Sequence, residues 1–122
     1  MFQQAVITVS ALGFSGMGVA AVWTPVRVTE QFGIPELSAD GRNEVRAVYG
    51  GFGLAVACGL TLSLFMPAWR APACAAVAVA LGGMALGRVG SALIDRHLGR
   101  FPAFYFCLEA CAAVALTAAA FT

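Results

Sequence analysis

The sequence contains no lysine: all seven of its basic residues are arginines. Without that amine, Schiff-base chemistry and the phosphate-loop lysine are excluded. Histidine is scarce too, with His97 alone in a short polar stretch. Charge of either sign is rare, at 11% of residues against about a quarter in soluble domains. The two signs nearly cancel, at +1, and no basic run exists to follow a phosphate backbone. Nucleic-acid binding therefore has no electrostatic support. With 61% hydrophobic residues, there is too little polar surface to cover a globule in water.

What is present is apolar sequence in long runs. A helix needs about 20 apolar residues to cross the hydrocarbon core. Four segments qualify: Phe2 to Trp23, Glu44 to Met66, Pro72 to Ile94 and Pro102 to Thr122. They are rich in Ala, Leu and Met, without the period-two alternation of strands. Lipid offers no hydrogen bonds to the backbone, which leaves helices as the spanning structure. The expected fold is all-α, a single integral-membrane four-helix bundle over residues 1–122 with antiparallel up-down topology. Met1-Phe2-Gln3-Gln4 lacks the basic region of a signal peptide, so the first span is expected to be retained.

Punctuation supports these spans. Pro25 is expected to stop the first helix, and Pro67 and Pro72 to bracket a turn made of Ala68 to Ala71. Asp95 to Arg100 forms the next turn, and Pro102 suits a helix start, where its missing N–H costs nothing. Trp23 and Trp69 stand where an interfacial aromatic belt is expected. The first loop, Thr24 to Asn43, is partly apolar and is expected to lie on the membrane surface or fold back over the helix ends, with Ser38 or Asp40 capping the second helix. Arg27, Arg42, Arg96 and Arg100 share one side and only Arg70 lies on the other. By the positive-inside rule the arginine-rich loops are cytoplasmic.

The residues that bear chemistry are few. Cys58, Cys74, Cys107 and Cys111 all lie in apolar stretches and are read as small hydrophobes. Cys107 and Cys111 are one turn apart, but two thiols do not make a zinc site, and no metal or cofactor is expected. Arg88 and Glu109 are different. Charges at membrane depth are costly and face the bundle interior. Each lies about two turns from the third connection, so the two meet at similar depth and an ion pair is expected. Glu44 and Arg46 enter from the same side, completing a candidate cluster of two acids and two bases. Ser91 follows Arg88 by three residues and Tyr105 precedes Glu109 by four, so both share the cluster's face. Tyr49, Gly50 and Gly53 follow Arg46, and Gly50, Gly53, Gly87 and Gly90, with Gly83, are expected to let helices approach closely.

The segment Asn43-Glu44-Val45-Arg46-Ala47-Val48-Tyr49-Gly50-Gly51 resembles the signature of a bacterial family of four-helix membrane proteins, the domain of unknown function four-three-four-five. Gly87-Arg88-Val89-Gly90-Ser91 and Glu109 are similar to two further patches of that family. The resemblance extends over nearly the whole chain and implies a four-helix membrane fold without an established activity.

Three functions are open at this point. The first is a non-enzymatic protein of a bacterial inner membrane, an accessory or assembly subunit or a ligand-binding protein. Its partners would be the lipid bilayer and either a larger complex or further copies of itself. The alternative is a small transporter or channel that uses Glu44, Arg46, Arg88 and Glu109 as a proton or anion site. The third is a membrane enzyme, with Tyr105, Glu109 and Arg88 as acid–base groups; no activated nucleophile, metal set or redox pair accompanies them. The bland reading stands beside all three: a balanced Glu–Arg network that fixes register between helices.

Overall fold

A computed structural model describes every residue, Met1–Thr122, and contains helices and turns but no strands. Five helices follow in order: α1 (Phe2–Trp23), the short α2 (Pro25–Glu30), α3 (Ala39–Phe65), α4 (Pro67–Asp95) and α5 (Arg100–Ala120). All but α2 are long and apolar enough to cross a membrane, as the hydrophobic runs require, and the chain is a multi-pass membrane protein. The chain buries little of this surface by itself: between 17% and 28% of an 18-residue apolar stretch in each span is buried.

Helix ends depart from the expected limits for local reasons. Pro25 does end α1, and it also starts α2, where it occupies the first turn. α3 begins at Ala39, five residues before Glu44, because the Ser38 hydroxyl accepts a hydrogen bond from the Gly41 N–H at 3.0 Å and caps a polar first turn. Glu44 is therefore not a first-turn acid; Asp40 is. α4 begins at Pro67 rather than Pro72, so Ala68 to Ala71 is helical and only Met66 separates α3 from α4. Pro67 serves the first turn, and Pro72 falls inside the helix, where its lack of an N–H removes one bond to Ala68. α4 ends on Arg96, the one non-glycine residue with positive φ, at 50°. The His97 N–H then bonds the Ala92 carbonyl at 3.2 Å, closing the helix end.

The chain divides into two compact units, Met1–Ile7 with Ser63–Thr122, and Thr8–Leu62. The first unit is built on the antiparallel hairpin of α4 and α5. Its buried residues include Cys74, Ala78, Leu81 and Ala85 on α4, at spacings of three and four, and Leu116 and Ala119 on α5. The first turns of α1 join it through Gln3, whose amide donates to the Ala119 carbonyl at 2.9 Å.

The second unit packs the remainder of α1 against α3 through glycine. A Cβ on Gly50 would stand 2.7 Å from Val22 Cγ2, and one on Gly18 would stand 3.0 Å from the Gly50 carbonyl. A Cβ on Gly53 would meet the Phe14 carbonyl at 3.2 Å and Gly18 Cα at 3.3 Å. Backbone thus rests on backbone, the small-residue contact by which helices associate in lipid. Within α3, the segment Arg46–Gly51 winds as a π-helical turn, and the Phe52 N–H reaches back to the Ala47 carbonyl.

Candidate functional site

Arg88 and Glu109 meet across the α4–α5 hairpin. The Arg88 Nε donates to one carboxylate oxygen of Glu109 and its Nη2 to the other, each at 2.7 Å. The fork is bidentate and charge-assisted, the strongest common form of a side-chain hydrogen bond. Glu109 is buried, with 7% of its side chain exposed, while Arg88 retains 24%. The Tyr105 ring lies beneath the guanidinium, 5.5 Å from centroid to Cζ, so the cation rests on an aromatic face as well. Phe104 meets Tyr105 edge-on at 5.3 Å and limits how that ring turns. The short connection sets this geometry: Arg88 is seven residues before the end of α4 and Glu109 nine after the start of α5.

The other two charges have different surroundings. The Arg46 Nε donates to the Val22 carbonyl at 2.9 Å. Val22 lies in the last turn of α1, whose final carbonyls have no intrahelical partner, so Arg46 caps the C-terminal end of α1. Residue 46 precedes Gly50 by four and shares its face, and Gly50 is the residue that touches Val22. Glu44 is exposed and enters no ion pair. Tyr49 is 40% exposed. Ser91, expected beside Arg88, is exposed and makes none of the contacts of the pair.

The glycines separate in the same way. Gly50 and Gly53 hold the close approach expected of them. At Gly82, Gly83, Gly87 and Gly90 on α4, a Cβ would meet no atom of the chain within 4 Å. That face is open. Beside it, a shallow groove of about 520 Å³ is lined by Ala78, Val79, Gly82, Ala113, Val114, Thr117 and Ala118.

A family model described as "Domain of unknown function (DUF4345)" matches residues 2–120. The chain belongs to the DUF4345 family. No curated protein and no solved structure matches it. In this DUF4345 chain the stretch that carried the resemblance, Glu44 to Gly51, coincides with the π-turn, the cap on α1 and the first glycine contact.

A second arginine cap was not evident from the sequence. Arg70 donates through Nε to the Ser63 carbonyl at 3.2 Å and through Nη2 to the Leu64 carbonyl at 2.6 Å, closing the end of α3. The available signal was position: Arg70 is the one arginine on its side, one turn beyond a helix end. The DUF4345 cysteines are free thiols, with Cys74 buried and Cys58, Cys107 and Cys111 exposed. No three His, Cys, Asp or Glu side chains are grouped as a metal ion would need.

Proposed function

We propose that this DUF4345 protein is a non-enzymatic assembly subunit that packs against a larger membrane complex in a bacterial cytoplasmic membrane. The observation that carries the reading is the closure of the Arg88–Glu109 pair. Both oxygens of the acid are held by one guanidinium at 2.7 Å. A proton or anion site needs an open acceptor or donor, and opening this pair within lipid strands two charges. A closed pair fixes axial register between two helices, the best-attested use of buried ionic groups.

The surface for assembly is then sought elsewhere, and the open glycine row of α4 supports it. Small residues let a second helix approach to backbone contact, whereas against lipid they gain little. The arginine-only, Ala- and Gly-rich composition supports a bacterial host, and the positions of the arginines support cytoplasmic loops between α1 and α3 and between α4 and α5. The test is the mass of the intact assembly after gentle solubilisation of native membranes. The expected result is a complex with a stoichiometric partner that Gly87→Leu disrupts. Recovery as an isolated protomer or homo-oligomer, unaffected by Gly87→Leu, refutes the proposal.

A further inference from the structure

The cap on α1 leaves half of Arg46 unused. Its Nε is committed to Val22, but neither terminal nitrogen has a hydrogen-bond or ion-pair partner, and the side chain is exposed. Glu44 does not take that role: residues two apart on a helix do not face each other. Arg70 is the instructive contrast, because its cap uses Nε and a terminal nitrogen together.

Depth identifies what meets the free edge. α3 has 27 residues, a length of about 40 Å at 1.5 Å per residue. The hydrocarbon core is about 30 Å thick. The excess of about 10 Å corresponds to the seven polar-rich residues Ala39–Val45. Arg46, the next residue, falls at the edge of the hydrocarbon core, from which a side chain directed toward the helix N-terminus reaches out to the level of the lipid phosphates. Trp23, 75% exposed at the end of α1, marks the same level.

We propose that Arg46 binds the phosphodiester of an anionic lipid headgroup, with Nη1 and Nη2 forming the fork and the Val22 carbonyl fixing the guanidinium in place. An oriented arginine edge suits two phosphate oxygens, and holding Nε in advance reduces the ordering cost of binding. The site is independent of the Arg88–Glu109 pair and of partner assembly, so its failure leaves the proposed function standing.

The experiment is native mass spectrometry of the full chain in mild detergent, titrated with phosphatidylglycerol or phosphatidylcholine. The expected result is one retained phosphatidylglycerol, preferred by about tenfold, because both lipids offer the phosphodiester but the choline cation of phosphatidylcholine opposes the guanidinium. Arg46→Gln should erase the preference, and Arg70→Gln should keep it. Equal retention of both lipids, or an unchanged preference in Arg46→Gln, overturns the proposal. Added inorganic phosphate should not displace the lipid; displacement would make this a free-phosphate site and overturn the lipid assignment. Because loss of the cap can itself unfold α1, a measurement on the wild-type chain stands beside the variants. A dicarbonyl reagent that modifies the two terminal nitrogens of arginine should label Arg46, and phosphatidylglycerol should protect it at about tenfold lower concentration than phosphatidylcholine. Labelling insensitive to phosphatidylglycerol overturns the proposal whatever the variants do.

Discussion

Replacing Glu109 by glutamine keeps the shape of the side chain and removes its charge, leaving Arg88 to face a neutral amide inside the hairpin. Breaking a buried pair by removing one partner costs about 3–5 kcal/mol. Arg88 is 24% exposed, so the stranded guanidinium moves part of the way toward the interface, and the cost falls to about 2–3 kcal/mol. Arg88→Leu strands a carboxylate that is only 7% exposed, and its cost stays near the upper end. The double variant Arg88→Leu/Glu109→Leu removes both charges and restores most of the loss, since apolar replacement of an ion pair is close to neutral. The assay is reversible unfolding in mixed micelles followed by helical circular dichroism, analysed as a double-mutant cycle whose single variants are Arg88→Leu and Glu109→Leu. A coupling energy of about 2 kcal/mol or more is expected. Single variants that each cost under about 0.5 kcal/mol, with additive effects in the double, would refute the claim that the pair holds the hairpin in register. The same double variant separates the functions: an assembly subunit keeps its partner, whereas a proton or anion site built on the pair loses its flux while remaining folded.

Other outcomes follow from the same geometry. Gly50→Ala places a methyl group 2.7 Å from Val22 Cγ2 and should destabilise the chain by about 1–3 kcal/mol in the same unfolding assay. Gly90→Ala faces open space and should be neutral or stabilising by up to about 1 kcal/mol in the isolated chain, as a helix gains from losing a glycine. Arg70→Gln removes the donors to Ser63 and Leu64 and should lower stability by about 1–2 kcal/mol, with amide exchange rising first at the α3–α4 junction. Arg96→Gly relieves a left-handed residue and should raise the midpoint of unfolding slightly; a fall would mean that the Arg96 side chain makes contacts that outweigh its backbone strain. Flux of protons or anions in proteoliposomes should be absent, or identical in wild type and Glu109→Gln; flux lost in that variant would favour transport.

Much of the architecture was legible because lipid narrows the choices. Four long apolar runs in a chain with 11% charge leave helices as the outcome, whatever the details of packing. The Arg88–Glu109 pair was legible for a related reason: a short connection fixes the relative depth of two antiparallel helices, and a charge in lipid needs a partner. The helices start at Ala39 and Pro67, ahead of the apolar runs, because hydrophobicity marks where lipid begins and not where the helix does. The spacing groups Arg46 with the acids, but its partner is a backbone carbonyl 24 residues earlier, which no side-chain pattern announces.

The sequence by itself determined the class, the number of spans and the one ion pair, all of which depend on solvation energies that composition and spacing carry. Only the tertiary structure decided which glycines are contacts. Gly50 and Gly87 are equivalent as letters, each a small residue in an apolar helix. Gly50 lies against Val22, and nothing lies against Gly87. The difference is the presence of a neighbouring backbone within a few ångströms, and that is set by the packing of α1 on α3, where the arrangement of whole helices outweighs any local preference.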